Sequence, residues 1–307
     1  MGIFTQNDGR AGGGGSRGSF ASRLLMAALI ALVGFGIFFF QQQKNPVTGE
    51  RQYVTLTPNE EIRLGLEAAP QMASQMGGEL PASDPRAQLV NRIGQSIVQG
   101  ADAQKSPWKF RFHLLNDPHT VNAFALPGGQ IFITLGLFNK LQTEAQLAGV
   151  LGHEMGHVME RHTAQQMAKS QLGQLLVMAV VVGAGEQNSS SNGPRMIATL
   201  VNNMMQLSYS RGDELEADTW GLKLMEQMGY SPKAMIEVME ILKAASQGGE
   251  TLEILQTHPY PDRRIREIEQ YLKKHPSTNQ TEGATIDHGN ARSANFRFFD
   301  PQFNSYR

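Results

Sequence analysis

His153-Glu154-Met155-Gly156-His157, an H-E-x-x-H sequence, stands in an apolar run where Leu147, Val150, Leu151 and Val158 continue one helical face. At about 100° per residue, side chains four apart leave the same face one turn apart. Two imidazoles so placed suit a metal ion, and Glu154 between them can take a proton from a water that the metal activates. The chemistry indicated is zinc-assisted hydrolysis of a peptide bond. Thr143 and Gln146 supply a capping box that opens this helix, so the motif lies inside it.

The next question is the third ligand. While the helix continues, His162 is turned about half a revolution from His153 and is expected to support or cap rather than to ligate. The longer metzincin pattern is excluded, because Glu160 and Thr163 occupy the places of its glycine and third histidine. Downstream, Tyr209-Ser210-Arg211-Gly212-Asp213-Glu214-Leu215-Glu216-Ala217-Asp218 opens a helical region. Glu214 and Asp218 share a face, whereas Glu216 points about 200° from Glu214. The pair suits a carboxylate ligand followed by an acid that orients a ligating histidine, which would complete a His₂Glu site.

Working outward, Lys109–Leu115 alternates as a strand, with His113 expected to be exposed on its outer face. Val121–Leu126 and Gln130–Thr134, separated by Pro127-Gly128-Gly129, read as a hairpin. This small sheet either offers an edge at Asn122-Ala123-Phe124 to an extended peptide or serves as support alone. Thr57-Pro58-Asn59-Glu60 opens a helix to about Met76, and Asp84-Pro85 opens another to Gly100. The apolar run Leu172–Gly185 is short for a membrane span and reads as core rather than as a hairpin dipping into the membrane surface. The loop Glu186–Pro194 is either a lid or a plain connector. Asp262 caps a last helix with Ile265, Ile268 and Leu272 as its buried stripe. The fold class expected is α+β, predominantly helical, with a small sheet beside the active-site helix.

The chain has 307 residues, a net charge of −1 and no cysteine. Disulfides, cysteine nucleophiles and zinc ribbons are therefore excluded, and no overall field points to nucleic acid. Leu24–Phe40 is uncharged and apolar, and as a helix it would span about 25 Å. It ends in phenylalanines without an A-x-A-like site, which favours a retained anchor over a cleaved signal or a buried helix. Arg10, Arg17 and Arg23 precede it and Lys44 and Arg51 follow it, a bias toward a cytoplasmic N-terminus and an extracytoplasmic main domain. The organisation expected is a cytoplasmic tail over 1–23, a signal-anchor over 24–40, a polar linker over 41–56, a catalytic domain over 57–273 and a flexible tail over 274–307.

H-E-x-x-H with the later Arg211, Glu214, Ala217 and Asp218 resembles the M48 metallopeptidases among the gluzincins, the group of the CAAX prenyl, HtpX and BepA proteases. Asn122–Gly129 and Thr257-His258-Pro259 with Arg264-Ile265 agree with that resemblance. It implies a zincin-like domain with one zinc ion on His153, His157 and Glu214, Glu154 as general base, and Arg211 and Asp218 supporting the ligands. His258 matches a family histidine that either closes the metal's open position or helps stabilise the transition state. A single-span form is expected, without the several spans of some relatives or the TPR array of others. By the same resemblance, the substrates are polypeptides, such as misfolded envelope proteins, and the catalytic domain lies on the periplasmic side of an inner membrane if the protein is bacterial. The alternative is a zinc-containing chaperone or assembly factor with latent or little proteolysis.

Overall fold

The computed structural model describes residues 20–40, 42–184, 208–247, 252–259, 261–276 and 280–288. The loop expected at 186–194, the tail at 1–19 and the aromatic end at 296–301 lie outside them. The chain divides into two compact units, residues 1–41 with 168–191 and residues 42–167 with 192–307.

The first unit contains helix α1 (Phe20–Phe40). It begins earlier than the apolar run alone suggested. Its 21 residues give about 30 Å, the thickness of a bilayer's hydrocarbon core. Leu25, Leu32 and Phe40 are 74%, 71% and 93% exposed, and among the described residues this is the one helix long and apolar enough to cross a membrane. The apolar run from Leu172 continues a helix that starts at His162 and ends at Ala184, with Leu172 half-buried and Ala179 buried.

The second unit opens with a structured hairpin, β1 (Gln42–Lys44) and β2 (Arg51–Tyr53), where a linker was expected. Two of its amide residues, Asn45 and Gln52, are buried. Asn45 Nδ2 donates to the carbonyl of Met159 at 2.8 Å and Gln52 Nε2 to that of Glu160 at 2.9 Å. Carbonyls at a helix C-terminus have no partner within the helix, and these amides supply one. Helix α2 (Pro58–Gln75) then starts in the expected Thr57–Glu60 capping box and ends before Gly77, at φ +79. Helix α3 (Pro85–Gly100) starts at Asp84, whose side chain accepts from Arg86 N.

Strands β3 (Arg111–Leu115), β4 (Ala123–Leu126) and β5 (Gln130–Thr134) make a sheet of order β3-β5-β4. The hairpin is as expected, and β3 adds to it in parallel with β5. His113 is half-buried rather than exposed, because its outer face is covered. Its ring stacks on Phe132 with centroids 4.5 Å apart and bonds Gln130 Oε1 at 3.1 Å and Glu79 Oε1 at 3.0 Å. Met72 of α2 and Met76 just past its end pack there with Leu115, Leu126 and Phe132.

A short helix α4 (Leu135–Phe138) leads into α5 (Glu144–Met159), the H-E-x-x-H helix, buried throughout after its first residue. Helix α6 is His162–Ala184, and α7 (Arg211–Gln227) opens in a Ser210–Asp213 capping box. Glycines set the distance between α5 and α7. A Cβ on Gly156 would meet the Ala217 carbonyl oxygen at 2.8 Å, and one on Gly152 would meet Gly221 Cα at 3.3 Å. Helices in such backbone contact bring Glu214 and Asp218 to the two histidines. Helices α8 (Lys233–Gln247), α9 (Glu253–Thr257) and α10 (Pro261–Lys274) complete the unit.

Residues 280–288 depart from the flexible tail expected after 273. Glu144 N and Ala145 N donate to the carbonyls of Ala284 and Glu282 at 3.0 Å each, and Ile286 N donates to Gln142 at 2.8 Å. Ile286 is 5% exposed, in the main core. The segment satisfies backbone donors at the N-terminus of α5 that a helix leaves without partners.

Candidate metal centre

Helix α5 sets His153 and His157 side by side, their Nε2 atoms 3.1 Å apart. From α7, Glu214 Oε2 lies 3.6 Å from His153 Nε2, and Oε1 lies 3.5 Å from His157 Nε2. His258, just past α9, brings Nδ1 to 3.2 Å from His153 Nε2 and 3.1 Å from Glu214 Oε1. One ligand atom from each of these four buried residues lies within 4.8 Å of the others. The sequence-expected trio is thus assembled and a fourth donor joins it.

Glu154 is buried beside the cluster, with Oε1 3.6 Å from His258 Nε2. Burial pushes its carboxyl up, against the pull of His258 and His153. Burial also raises Glu214, but the charges of His258 and Arg264 outweigh it and hold that carboxyl well below its usual range. His157 is pushed well down by burial. For His258 burial acts downward, and Glu214 and Glu154 overcome it, so the net shift is upward.

Asp218 meets His153 Nδ1 at 2.9 Å, as its spacing from Glu214 implied. Arg264 from α10 is the residue whose role the sequence did not reveal. It binds Asp218 through Nε at 2.8 Å and Nη2 at 2.6 Å, and Glu214 through Nη1 at 2.7 Å. Arg211 is exposed at the first turn of α7, so the guanidinium among these acids is that of Arg264. Tyr209 stacks on His157 with centroids 3.9 Å apart, its hydroxyl 3.1 Å from Thr163 Oγ1. Its ring preceded the acidic motif without a pattern to reveal it.

Asn122, Ala123 and Phe124 sit on the outer strand of the sheet. Thr134 N donates to Asn122 O at 3.0 Å, so by antiparallel alternation the main-chain groups of Ala123 point away from β5. Ile254 N donates to Val121 O at 3.2 Å and Asn122 Nδ2 to Glu253 Oε2 at 3.4 Å. The turn that carries His258 is therefore tied to the start of that edge.

The donor set fits a divalent cation. Three imidazoles and a carboxylate, without thiolate, suit zinc and similar borderline metals. Glu154, Glu214 and Asp218 are three buried carboxylates, and Arg264 is the buried guanidinium that faces them. When Glu154 is ionised and all three histidines are neutral, two negative charges are in excess, which a divalent ion would cancel. Glu154 Oε2 and His258 Nε2 are buried without a hydrogen-bond partner among the described residues.

An H-E-x-x-H helix, a carboxylate from a second helix and a neighbouring sheet together define a zincin-like metallopeptidase. Comparison with known sequences agrees: the profile described as Peptidase family M48 matches residues 84–272, and the chain belongs to that family. It is 32% identical over 251 residues to the mitochondrial metalloendopeptidase OMA1 of Schizosaccharomyces pombe, covering 81% of this chain and 71% of that one. It is 31% identical over 252 residues to the beta-barrel assembly-enhancing protease of Escherichia coli, covering 78% of this chain and half of that one. The OMA1 of Saccharomyces cerevisiae is 30% identical over 271 residues, covering 83% and 75%.

Proposed function

We propose that this chain is a membrane-anchored zinc endopeptidase in which His153, His157 and Glu214 hold one ion and Glu154 is the general base. The observation that carries it is the buried four-residue cluster with Glu154 against it. When bound, zinc would polarise the scissile carbonyl and make water a competent nucleophile near neutral pH. Glu154 takes the proton of that water and hands it to the leaving amine. Asp218 and Arg264 hold His153 and Glu214 in place. An extended substrate segment adds along the outer edge of β4 at Asn122, Ala123 and Phe124, where the main-chain groups of Ala123 point away from β5.

Of the two roles open to His258, the closeness of its Nδ1 to the ligand atoms favours occupation of the fourth position, hence a latent state. Opening would break the bonds from Ile254 N to Val121 O and from Tyr209 N to Thr257 O. The same contact supports the second reading, an assembly factor with little proteolysis. The proposed organisation places 1–23 in the cytoplasm, α1 in the membrane and the catalytic domain outside, on the periplasmic side if bacterial. Polypeptides are the substrates, in accord with relatives named as a metalloendopeptidase and a protease, and misfolded envelope proteins are the ones proposed.

Zinc content and casein cleavage, measured together, test this. Wild type should carry one zinc, and Glu214→Ala should lose both metal and cleavage. His258→Ala should keep the metal and cleave ~10–100-fold faster, if the open state is a minor one of about 1–10%. Unchanged slow cleavage with metal bound would favour the assembly-factor reading, and folded wild type without metal would overturn the proposal.

A further inference from the structure

The two ligand histidines are supported differently: Asp218 meets His153 directly, whereas His157 is stacked on Tyr209 and bonded to His162. His157 Nδ1 lies 2.9 Å from Nδ1 of His162, whose Nε2 lies 3.0 Å from Glu216 Oε2. We propose that Glu216 and His162 form a relay that fixes the tautomer and orientation of His157 for the metal. This rests on the reading of the cluster as a metal site.

A consistent set of hydrogens exists for the chain of three groups. His157 Nε2 faces His153 and Glu214, so to ligate it must present a lone pair there and carry its hydrogen on Nδ1. That hydrogen is donated to His162 Nδ1, which must then be bare. The hydrogen of His162 sits on Nε2 and is donated to Glu216. The carboxylate ends the relay half in water, its side chain 54% exposed, while His162 is 1% exposed. His153 needs no such intermediary, because Asp218 reaches its Nδ1 directly.

The relay depends on a break in the helix. In a continuous helix, His162 would be turned about 140° from His157. Instead α5 ends at Met159, Arg161 adopts φ +60 and α6 restarts at His162. A left-handed non-glycine residue costs on the order of 1 kcal/mol, and the Arg161 side chain holds it there. Its Nε binds Glu61 Oε1 at 2.8 Å and its Nη2 binds Leu56 O at 2.6 Å. The other end of the relay is supplied by α7, on the face of Glu216 that turns away from Glu214.

Residues that hold a ligating histidine through its far nitrogen typically change metal affinity ~10–100-fold when removed. The test is the zinc dissociation constant of the full chain in detergent, by competition with a chelating indicator. His162→Ala should weaken binding by ~10–100-fold. His162→Gln, whose amide offers an acceptor and a donor about as far apart as the ring nitrogens, should recover most of that loss. Glu216→Ala should cost less than His162→Ala, since water can replace an exposed carboxylate. Cobalt-substituted His162→Ala should show a shifted ligand-field band that His162→Gln restores. Wild-type affinity in His162→Ala overturns the relay. Equal loss in the Ala and Gln variants, with the metal-free protein equally destabilised, overturns it too by marking a packing role. Wild type without zinc would remove the site itself and the relay with it, so the two failures are distinguishable.

Discussion

Two buried arginines flank helix α5, and they do opposite work. Arg161, beyond its C-terminus, faces one buried carboxylate, Glu61, which also accepts from Trp108 Nε1 at 3.0 Å. Charge there balances one to one. Arg264 faces Asp218 and Glu214 with Glu154 beyond them, and charge does not balance. The difference teaches that a buried arginine by itself does not mark a functional site. A balanced pair is a fastener, whereas a surplus of buried carboxylates around one guanidinium calls for a cation.

The comparison breaks most visibly at Glu154, which belongs to the surroundings of Arg264 alone. Glu154→Gln removes the general base and should lower peptide hydrolysis by ~10²–10⁴-fold while zinc content stays at one per chain. Near-wild-type turnover in that variant would end the assignment. Next in size is the exchange of each arginine for methionine. Removing one partner of a buried pair costs about 3–5 kcal/mol, so both variants should unfold at lower urea concentration. They should differ in response to metal: Arg161→Met should gain from added zinc as the wild type does, and Arg264→Met, which leaves three buried carboxylates unopposed, should gain more. Equal zinc-dependent gains would erase the distinction between fastener and site.

Chelation of the wild type offers a smaller effect at the same place. Zinc at a hundred times its dissociation constant should stabilise by about 2.7 kcal/mol, and a chelator should remove that increment in a thermal melt. No shift would mean that the surplus charge has another solution.

The smallest expected effect comes from a partly exposed pair that serves as a control, Asp84 with Arg86 at the start of α3. The hydrogen bond from Arg86 brings the Asp84 carboxyl down from 3.8 to about 2. A depressed folded pKa adds stability that is present above the unfolded value and is lost as pH falls through the folded one. Asp84→Ala should therefore cost about 1 kcal/mol at neutral pH, with the difference from wild type closing between pH 4 and pH 2. A difference that persists at pH 2 would assign the effect to packing.

Much of this was legible beforehand because it is local. The capping box at Thr57–Glu60, the hairpin around Pro127-Gly128-Gly129, and the same-face pairs His153/His157 and Glu214/Asp218 follow from periods of two and 3.6 residues. His162 was less legible, because its position depends on a helix break fastened by Glu61, about a hundred residues away in the chain. Arg264 agreed with the resemblance but carried no role, because it lies in a charged amphipathic helix, where an arginine ordinarily points to water. The hairpin at 42–53 read as a linker because its composition is polar, and composition does not distinguish amides facing solvent from amides facing helix carbonyls. Residues 280–288 misled for the same reason, with Ile286 as a lone apolar anchor.

By itself, then, the sequence determined the class of chemistry, the two helices that carry it, the sheet beside them and an apolar segment able to cross a membrane. These are encoded by residue types at short fixed spacings, where the geometry of one helix or strand suffices. Only the tertiary structure decided that His258 joins the cluster, that Arg264 rather than Arg211 stands among its acids, and that His162 turns back to His157. Each of those depends on contacts between residues far apart in the chain, and their distances are set by packing, as at Gly152 and Gly156 against Gly221 and Ala217.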